Sequence, residues 1–250
     1  MGELISASNL QKSFGSLRAV HGVNLRVNAG EVVGFLGPNG AGKTTTMRIL
    51  TGFLDPNDGV VLLNGISIAE DPIGARRTFG YLPEGAPAYP DMTVREYLHF
   101  IARARGMPRR DIATAVEGVA TRVHLRGVLA QVIETLSKGF KRRVGIAQAI
   151  IHDPPILIMD EPTDGLDPNQ KHEVRELIRT MGSTKAIVLS THILEEVEAV
   201  CTRAIVIANG RVVFDGTPSE FEAKAPSSVT RNRMDHVFRV MTGSGVEAST

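Results

Sequence analysis

The sequence predicts an α/β fold with a helical insertion and an antiparallel β patch near the N-terminus. Three observations carry that expectation. A glycine-rich loop, GPNGAGKT at 37–44, stands between a short apolar strand and a run of helical composition. Two apolar runs, PPILIMDEP at 154–162 and KAIVLSTH at 185–192, show no polar alternation, as in strands buried on both faces. The stretch from about 85 to 150 has the texture of helix. Strands alternating with helices build a core with a mainly parallel sheet.

The elements follow in order. Residues 3–35 alternate β-like runs with turns: ELISAS, LRAVHGVNLRVNAGE and VVGFL. After the glycine loop, TTMRILTG reads as a helix with Gly52 as its stop. GVVLLNGISI at 59–68 is β-like again, and Asn64-Gly65 marks a tight turn in it. Thr93-Val94-Arg95-Glu96 matches a capping box, after which Val94, Tyr97, Leu98 and Ile101 recur at helical spacing. The two apolar strands then come with helices between and after them. The end, GSGVEAST, is expected to be mobile.

Bulk properties narrow the function classes. A chain of 250 residues suits one large domain, or a domain with a lobe and a tail. Lysine plus arginine number 28 against 27 acidic residues, so no bulk charge favours nucleic acid or an anionic membrane. Cys201 is the single cysteine, which excludes an internal disulfide and suits a reducing compartment. No stretch approaches the roughly 18–20 apolar residues of a membrane span. The start, MGELISASN, lacks the basic and apolar regions of a secretory signal. It fits the loose M-G-x-x-x-S myristoylation pattern, although Glu3–Ser8 reads better as a first strand. A cytosolic protein is expected.

Gly37, Pro38, Asn39, Gly40, Ala41, Gly42, Lys43 and Thr44 match G-x-x-x-x-G-K-[ST] in the required strand-to-helix context. The glycines let the backbone wrap a phosphate, and the helix aims its free N–H groups and dipole at the anion. Lys43 then holds the β- and γ-phosphates and the Thr44 hydroxyl ligates Mg²⁺; the alternative is a glycine turn that binds nothing. Asp160, ending an apolar strand, is placed to hold Mg²⁺, and Glu161 to polarise the water that attacks the γ-phosphate. His192 ends the next strand, at the edge where open α/β sheets bind ligands, so a γ-phosphate contact competes with a structural role. LSKGFKRRVGIAQ at 136–148 is a second anion-friendly helix start, with the Ser137 hydroxyl and the Gly139 N–H at its positive end. Lys138, Lys141, Arg142 and Arg143 crowd its first turn, and a solvated basic face is the other reading of the last three.

Taken together, these motifs resemble the nucleotide-binding subunit of an ATP-binding-cassette (ABC) transporter, over about residues 4–220. The order is that of the family: glycine loop 37–44, YLPE 81–84, signature LSKGF 136–140, strand and glutamate 156–161, DGLD 164–167, then His192. The resemblance implies a P-loop core with the helical subdomain of about 85–150 inserted in a domain spanning 1–222, followed by a tail, 223–250. It implies an Mg²⁺-dependent ATPase with Glu161 and His192 catalytic. ATP would be bound by Phe14 (stacked on adenine, with core packing as the other reading), by Gly37–Thr44, Thr45 and Glu84, and by Ser137 and Gly139. Thr44, Glu84 and Asp160 would hold the metal. Two such chains, identical or not, would sandwich two ATPs head to tail, each capped by the partner's signature loop. The second anion site thus belongs to the other chain's nucleotide.

With no spanning segment of its own, the chain would drive a separate permease from the cytoplasmic side of the membrane. Lys138 and Phe140 replace the usual Gly and Gln of the signature, and Glu84 the usual Gln. YLPE, LSKG and DGLDP look most like the branch serving ABC-2-type exporters, including gliding-motility-type and drug-resistance-type ATPases. A family member that transmits force to a membrane complex without transport keeps the same residues. A DNA-repair or translation ABC protein is the rival from another class, but it usually carries long insertions or two cassettes.

Overall fold

The first two strands, β1 (Glu3–Phe14) and β2 (Leu17–Asn28), pair antiparallel and turn at Gly15. Their alternation buries one face, with Ile5, Ala7 and Leu10 on β1 and Val23, Leu25 and Val27 on β2. Strand β3 (Val32–Leu36) runs through the glycine loop into helix α1 (Lys43–Leu50). Strands β4 (Asp58–Leu63) and β5 (Ile66–Ser67) turn at Asn64-Gly65, both left-handed (φ 50 and 77), as a two-residue hairpin turn demands. Then come α2 (Pro72–Arg77), β6 (Phe79–Leu82), α3 (Val94–Ala104), α4 (Arg109–Arg122), α5 (Lys138–Ile150) and β7 (Ile156–Asp160). The chain continues with α6 (Pro168–Gly182), β8 (Ala186–Thr191), α7 (Leu194–Val200), β9 (Arg203–Ala208), β10 (Arg211–Gly216), α8 (Pro218–Ala223) and α9 (Arg233–Thr242). This computed structural model describes residues 2–86 and 88–243, so all of GSGVEAST after Gly243 lies outside the described residues.

Among the described residues the strands form two sheets. One is antiparallel, in the order β2-β1-β4-β5; the other runs β10-β9-β3-β8-β7-β6, parallel except for β10 at its edge. The parallel strands explain the unbroken apolar runs. Along β7, Ile156 and Ile158 face the cluster shared with the antiparallel sheet, while Leu157 and Met159 face the helical side. Strand β8 divides likewise, with Ala186 and Val188 on one side and Ile187 and Leu189 on the other. Both faces are covered, so the strands are apolar by burial until their last residues, Asp160 on β7 and Ser190 and Thr191 on β8.

The helical insertion grows from the second face. Thr93 and Glu96 close the predicted capping box, the Thr93 N–H donating to Glu96 Oε2 at 2.9 Å and the Glu96 N–H to Thr93 Oγ1 at 3.2 Å. Helix α3 then buries Val94, Tyr97, Leu98 and Ala102 in a cluster that also holds Val144 of α5 and Leu82, Leu157 and Leu189 of the sheet. The lobe is therefore seated on the core, not tethered to it.

The segment expected as a tail, 223–250, carries a packed helix over its described part. Helix α9 packs Met234 and Val237 against Leu36, Ala204, Val206 and Phe221. Arg233 ties the connection down, donating to the Val229 carbonyl at 2.7 Å and the Ala225 carbonyl at 2.9 Å. Apolar residues three and seven apart on one helix face, Met234, Val237 and Met241, were enough to cover that side of the sheet.

His152, just past α5, supplies a pH-dependent element. Its Nε2 lies 3.2 Å from the Phe79 carbonyl, and its Nδ1 is buried with no partner among the described residues. Burial, and then the Arg105 guanidinium, push the imidazole down from 6.5 to about 4. The folded state thus prefers the neutral ring. Stability is full above the ordinary histidine value and is lost as the pH falls from there toward 4. At pH 5 the expected loss is on the order of 2 kcal/mol. Thermal midpoints of wild type should fall more steeply between pH 7 and 5 than those of His152→Gln, and parallel curves would refute this.

Candidate nucleotide site

Parallel strands deliver their C-terminal ends to one edge, and four of them carry the candidate residues there. Strand β3 leads into the glycine loop, β6 to Glu84, β7 to Asp160 and Glu161, and β8 to His192. The loop is fixed before any ligand is considered. Gly42 has φ +105, and a Cβ on it would meet the Ala19 carbonyl oxygen at 2.4 Å, so no other residue fits. The Gly210 N–H donates to the Ala41 carbonyl at 3.0 Å and holds the loop from the far side. Helix α1 has no side-chain cap and no acidic residue in its first turn. Its leading N–H groups and positive dipole end are therefore left for an anion.

Lys43 is 6% exposed, and its ammonium donates to the Gly37 carbonyl at 2.7 Å and the Pro38 carbonyl at 3.2 Å. Burial lowers its pKa, while Glu161, Asp160 and Glu84 raise it. The cation thus sits in the field of all three candidate carboxylates. Phe14, Pro38, Asn39, Gly40, Gly42, Lys43, Thr44, Thr45, Glu84 and Glu161 line one cleft of about 310 Å³. Ala41 is buried in the same loop, and the Gly37 carbonyl accepts from the Lys43 ammonium. Phe14 is 49% exposed, with the Lys12 ammonium 5.6 Å from its ring centroid, so it packs into no core. Larger concavities exist, one of about 470 Å³ lined by Phe53, Tyr81 and Arg105 among others. Chemistry, not size, singles out the cleft.

The carboxylates beside it are held by hydrogen bonds from the neighbouring strand. Asp160 is buried, with Oδ1 accepting from the Ser190 hydroxyl and Oδ2 lacking any partner among the described residues. An orphaned carboxylate oxygen is costly in a protein interior, and a cation or a water would satisfy it. Glu161 turns the chain out of β7 with left-handed backbone, φ 49. Its N–H donates to the Ser190 carbonyl at 3.1 Å, its own carbonyl accepts from Arg142, and its Oε1 lies 2.9 Å from His192 Nδ1. Glu161 and His192 are thus in direct contact.

Ser137 and Gly139 are not part of this assembly. Ser137 caps α5, its hydroxyl accepting from the Phe140 N–H at 3.3 Å. A Cβ on Gly139 would meet only the end of the Gln170 side chain of α6, Oε1 at 2.2 Å. Neither residue lines the cleft. Lys138 reaches Asp164 at 3.0 Å and, mainly through that hydrogen bond, holds the Asp164 carboxyl below its usual range. The solvated-face reading of Lys141–Arg143 is wrong at Arg142, which is 3% exposed. Arg143 pairs with Glu173 at 2.8 Å.

Residues 20–164 match the family described as ABC transporter. The chain belongs to that family. It is 38% identical over 218 residues to the Nod factor export ATP-binding protein I of Ralstonia nicotianae, spanning 87% of this chain and 68% of the relative. It is 38% identical over 202 residues to the ABC transporter ATP-binding protein NatA of Bacillus subtilis, spanning 80% and 82%. A solved structure of an ATP binding subunit of an ABC transporter superimposes with a TM-score of 0.86 at 30% identity, covering 96% of this chain and 99% of that one. The ABC fold expected from the motifs is the fold found.

Within this ABC frame, sequence reasoning missed Glu196. Its carboxylate accepts from the Thr163 hydroxyl, just after Glu161, and from the Thr191 hydroxyl, just before His192, at 2.7 Å to the latter. Burial pushes its pKa up. One acid thereby straps together the two loops that present Glu161 and His192. The available signal was helical: Glu196 shares a buried face with Val197 and Val200 on α7.

Proposed function

We propose that this ABC chain is the Mg²⁺-dependent ATPase subunit of a transporter, closing on ATP as a dimer and driving a separate membrane-spanning permease, in the direction of export. The observation that carries the reading is the convergence of an uncapped helix start, the buried Lys43 ammonium and the Glu161–His192 pair on one cleft. Lys43 and the loop N–H groups bind the β- and γ-phosphates, and Phe14 packs on the base. His192 occupies one oxygen of Glu161 and leaves the other for the attacking water, whose proton it takes. The unpartnered Asp160 Oδ2, with the Thr44 hydroxyl and the Glu84 carboxylate, suits Mg²⁺. When bound, the ion neutralises charge on the phosphate oxygens.

The separation of Ser137 and Gly139 from the cleft supports a second copy as the owner of the ATP they cap. Among the described residues no helix is long and apolar enough to cross a membrane, which favours a partner for that task. Export is suggested by the relatives named as Nod factor export ATP-binding proteins. A position on the cytoplasmic face of the membrane, where ATP is supplied, fits both. Copurification of a multi-span membrane protein tests the permease, and its absence from every membrane fraction would oppose it.

Trans capping is tested by cysteines at Ser137 and Asn39 in a Cys201→Ser, Glu161→Gln background. A direct bridge needs Cα atoms roughly 4.4–6.8 Å apart, and a short bifunctional thiol reagent relaxes that limit. ATP should produce a covalent dimer on a denaturing gel, with each single-cysteine variant as the collision control. Internally linked monomer alone, with ATP bound, would overturn the sandwich.

A further inference from the structure

We propose that Arg142 is a positioning residue that fixes Glu161 from the signature helix, coupling the loop that caps the partner's nucleotide to the base that serves the chain's own. The inference rests on the reading of Glu161 as the base. Arg142 lies on α5, whose N-terminus is capped by Ser137, and is 3% exposed. Both of its hydrogen bonds among the described residues go to main-chain carbonyls. One is to Glu161, and the other is to Pro83 at 3.4 Å. Burial disfavours the charge of this guanidinium, while the fields of Asp164, Asp160, Glu161 and Glu84 favour it, so the cation is held among the site's carboxylates without a direct ion pair among the described residues.

What the guanidinium holds gives the reason for it. Glu161 keeps a left-handed backbone, φ 49, which a residue with a Cβ retains only where its surroundings over-determine it. The Glu161 N–H is anchored to Ser190 on β8, and its carbonyl to Arg142 on α5. With both ends of that residue pinned, its carboxylate is aimed at His192 and into the cleft. Pro83, the second acceptor, precedes Glu84, whose side chain lines the same cleft. One side chain thus sets the backbone beside both cleft carboxylates. Its position on α5 means that a shift of the helix start at Ser137 is felt at Glu161 without passing through solvent.

The test compares wild type, Arg142→Met, Glu161→Gln, the double variant and Arg142→Lys. Arg142→Met removes the donors and keeps the stem. Misplacing a reacting group by about 1 Å costs up to ~10²-fold, so kcat for ATP hydrolysis should fall about 10- to 100-fold. ATP affinity, by nucleotide titration, should stay within about twofold, because the phosphate-binding loop is untouched. Arg142→Lys, which keeps one donor, should recover part of the rate. In single-turnover hydrolysis on a Glu161→Gln background, Arg142→Met should add less than about twofold, since the group it positions is already disabled. An undiminished further loss in the double variant would overturn the role. So would a loss confined to ATP affinity. If Arg142→Met does not fold, Arg142→Lys alone and combined with Glu161→Gln gives the same comparison. A wild-type rate in Glu161→Gln would instead remove the base itself, and this role with it.

Discussion

Glu161→Gln is expected to bind ATP normally, to hydrolyse it ~10²–10⁴ times more slowly, as loss of a positioned general base does, and to accumulate as an ATP-bound dimer. The substitution keeps the size of the side chain and removes only its ability to take a proton. The left-handed backbone is held by Ser190 and Arg142 through main-chain atoms, which the change leaves in place. Gln also keeps an oxygen or an amide within reach of His192 Nδ1, now 2.9 Å from Oε1. Asp160, with its unpartnered oxygen, is untouched, so metal and phosphate binding should persist. If hydrolysis ends the proposed sandwich, blocking it should trap the closed form. Turnover within tenfold of wild type would sink the base assignment. A monomer at saturating ATP, by sizing with light scattering, would sink the dimer.

How much of this was legible in the sequence depends on whether a residue's type or its position carries the signal. Asp160 and Glu161 stood out because they close an apolar strand, His192 because it follows one, and Lys43 because it ends the glycine loop at the start of α1. Parallel strands bring such ends to one edge. The strand β1 was read as ELISAS and runs on to Phe14, because Asn9 (φ 51) introduces a bulge that breaks the alternation. Arg142 was illegible by type, standing in a run of basic residues. By position it is four residues before the buried Ile146 on α5, the inward face of that helix. Helix α9 was missed for another reason. Its apolar spacing is present in the sequence, but the surface it covers, around Leu36 and Val206, exists only once the sheet is assembled.

Lys43→Ala should leave a folded protein that binds ATP poorly and does not hydrolyse it. Lys43 is the only basic side chain among the described residues lining the cleft. A hydrogen bond to a charged group is worth about 1.5–3 kcal/mol, which alone weakens ATP binding roughly 10- to 150-fold. The loss goes further, because the ammonium also offsets the field of Glu161, Asp160 and Glu84 around an anionic ligand. Folding should survive for three reasons. Alanine is the best helix former at the start of α1, burial already disfavours the charge that is removed, and the loop keeps its own anchor from Gly210 to Ala41. Circular dichroism should therefore match wild type while nucleotide titration and turnover both fail. That pairing separates this variant from Glu161→Gln, which binds without turning over. Wild-type turnover in a folded Lys43→Ala protein would mean that the phosphates do not sit on this loop. The cleft would then have to be given up as the nucleotide site, however well its shape fits.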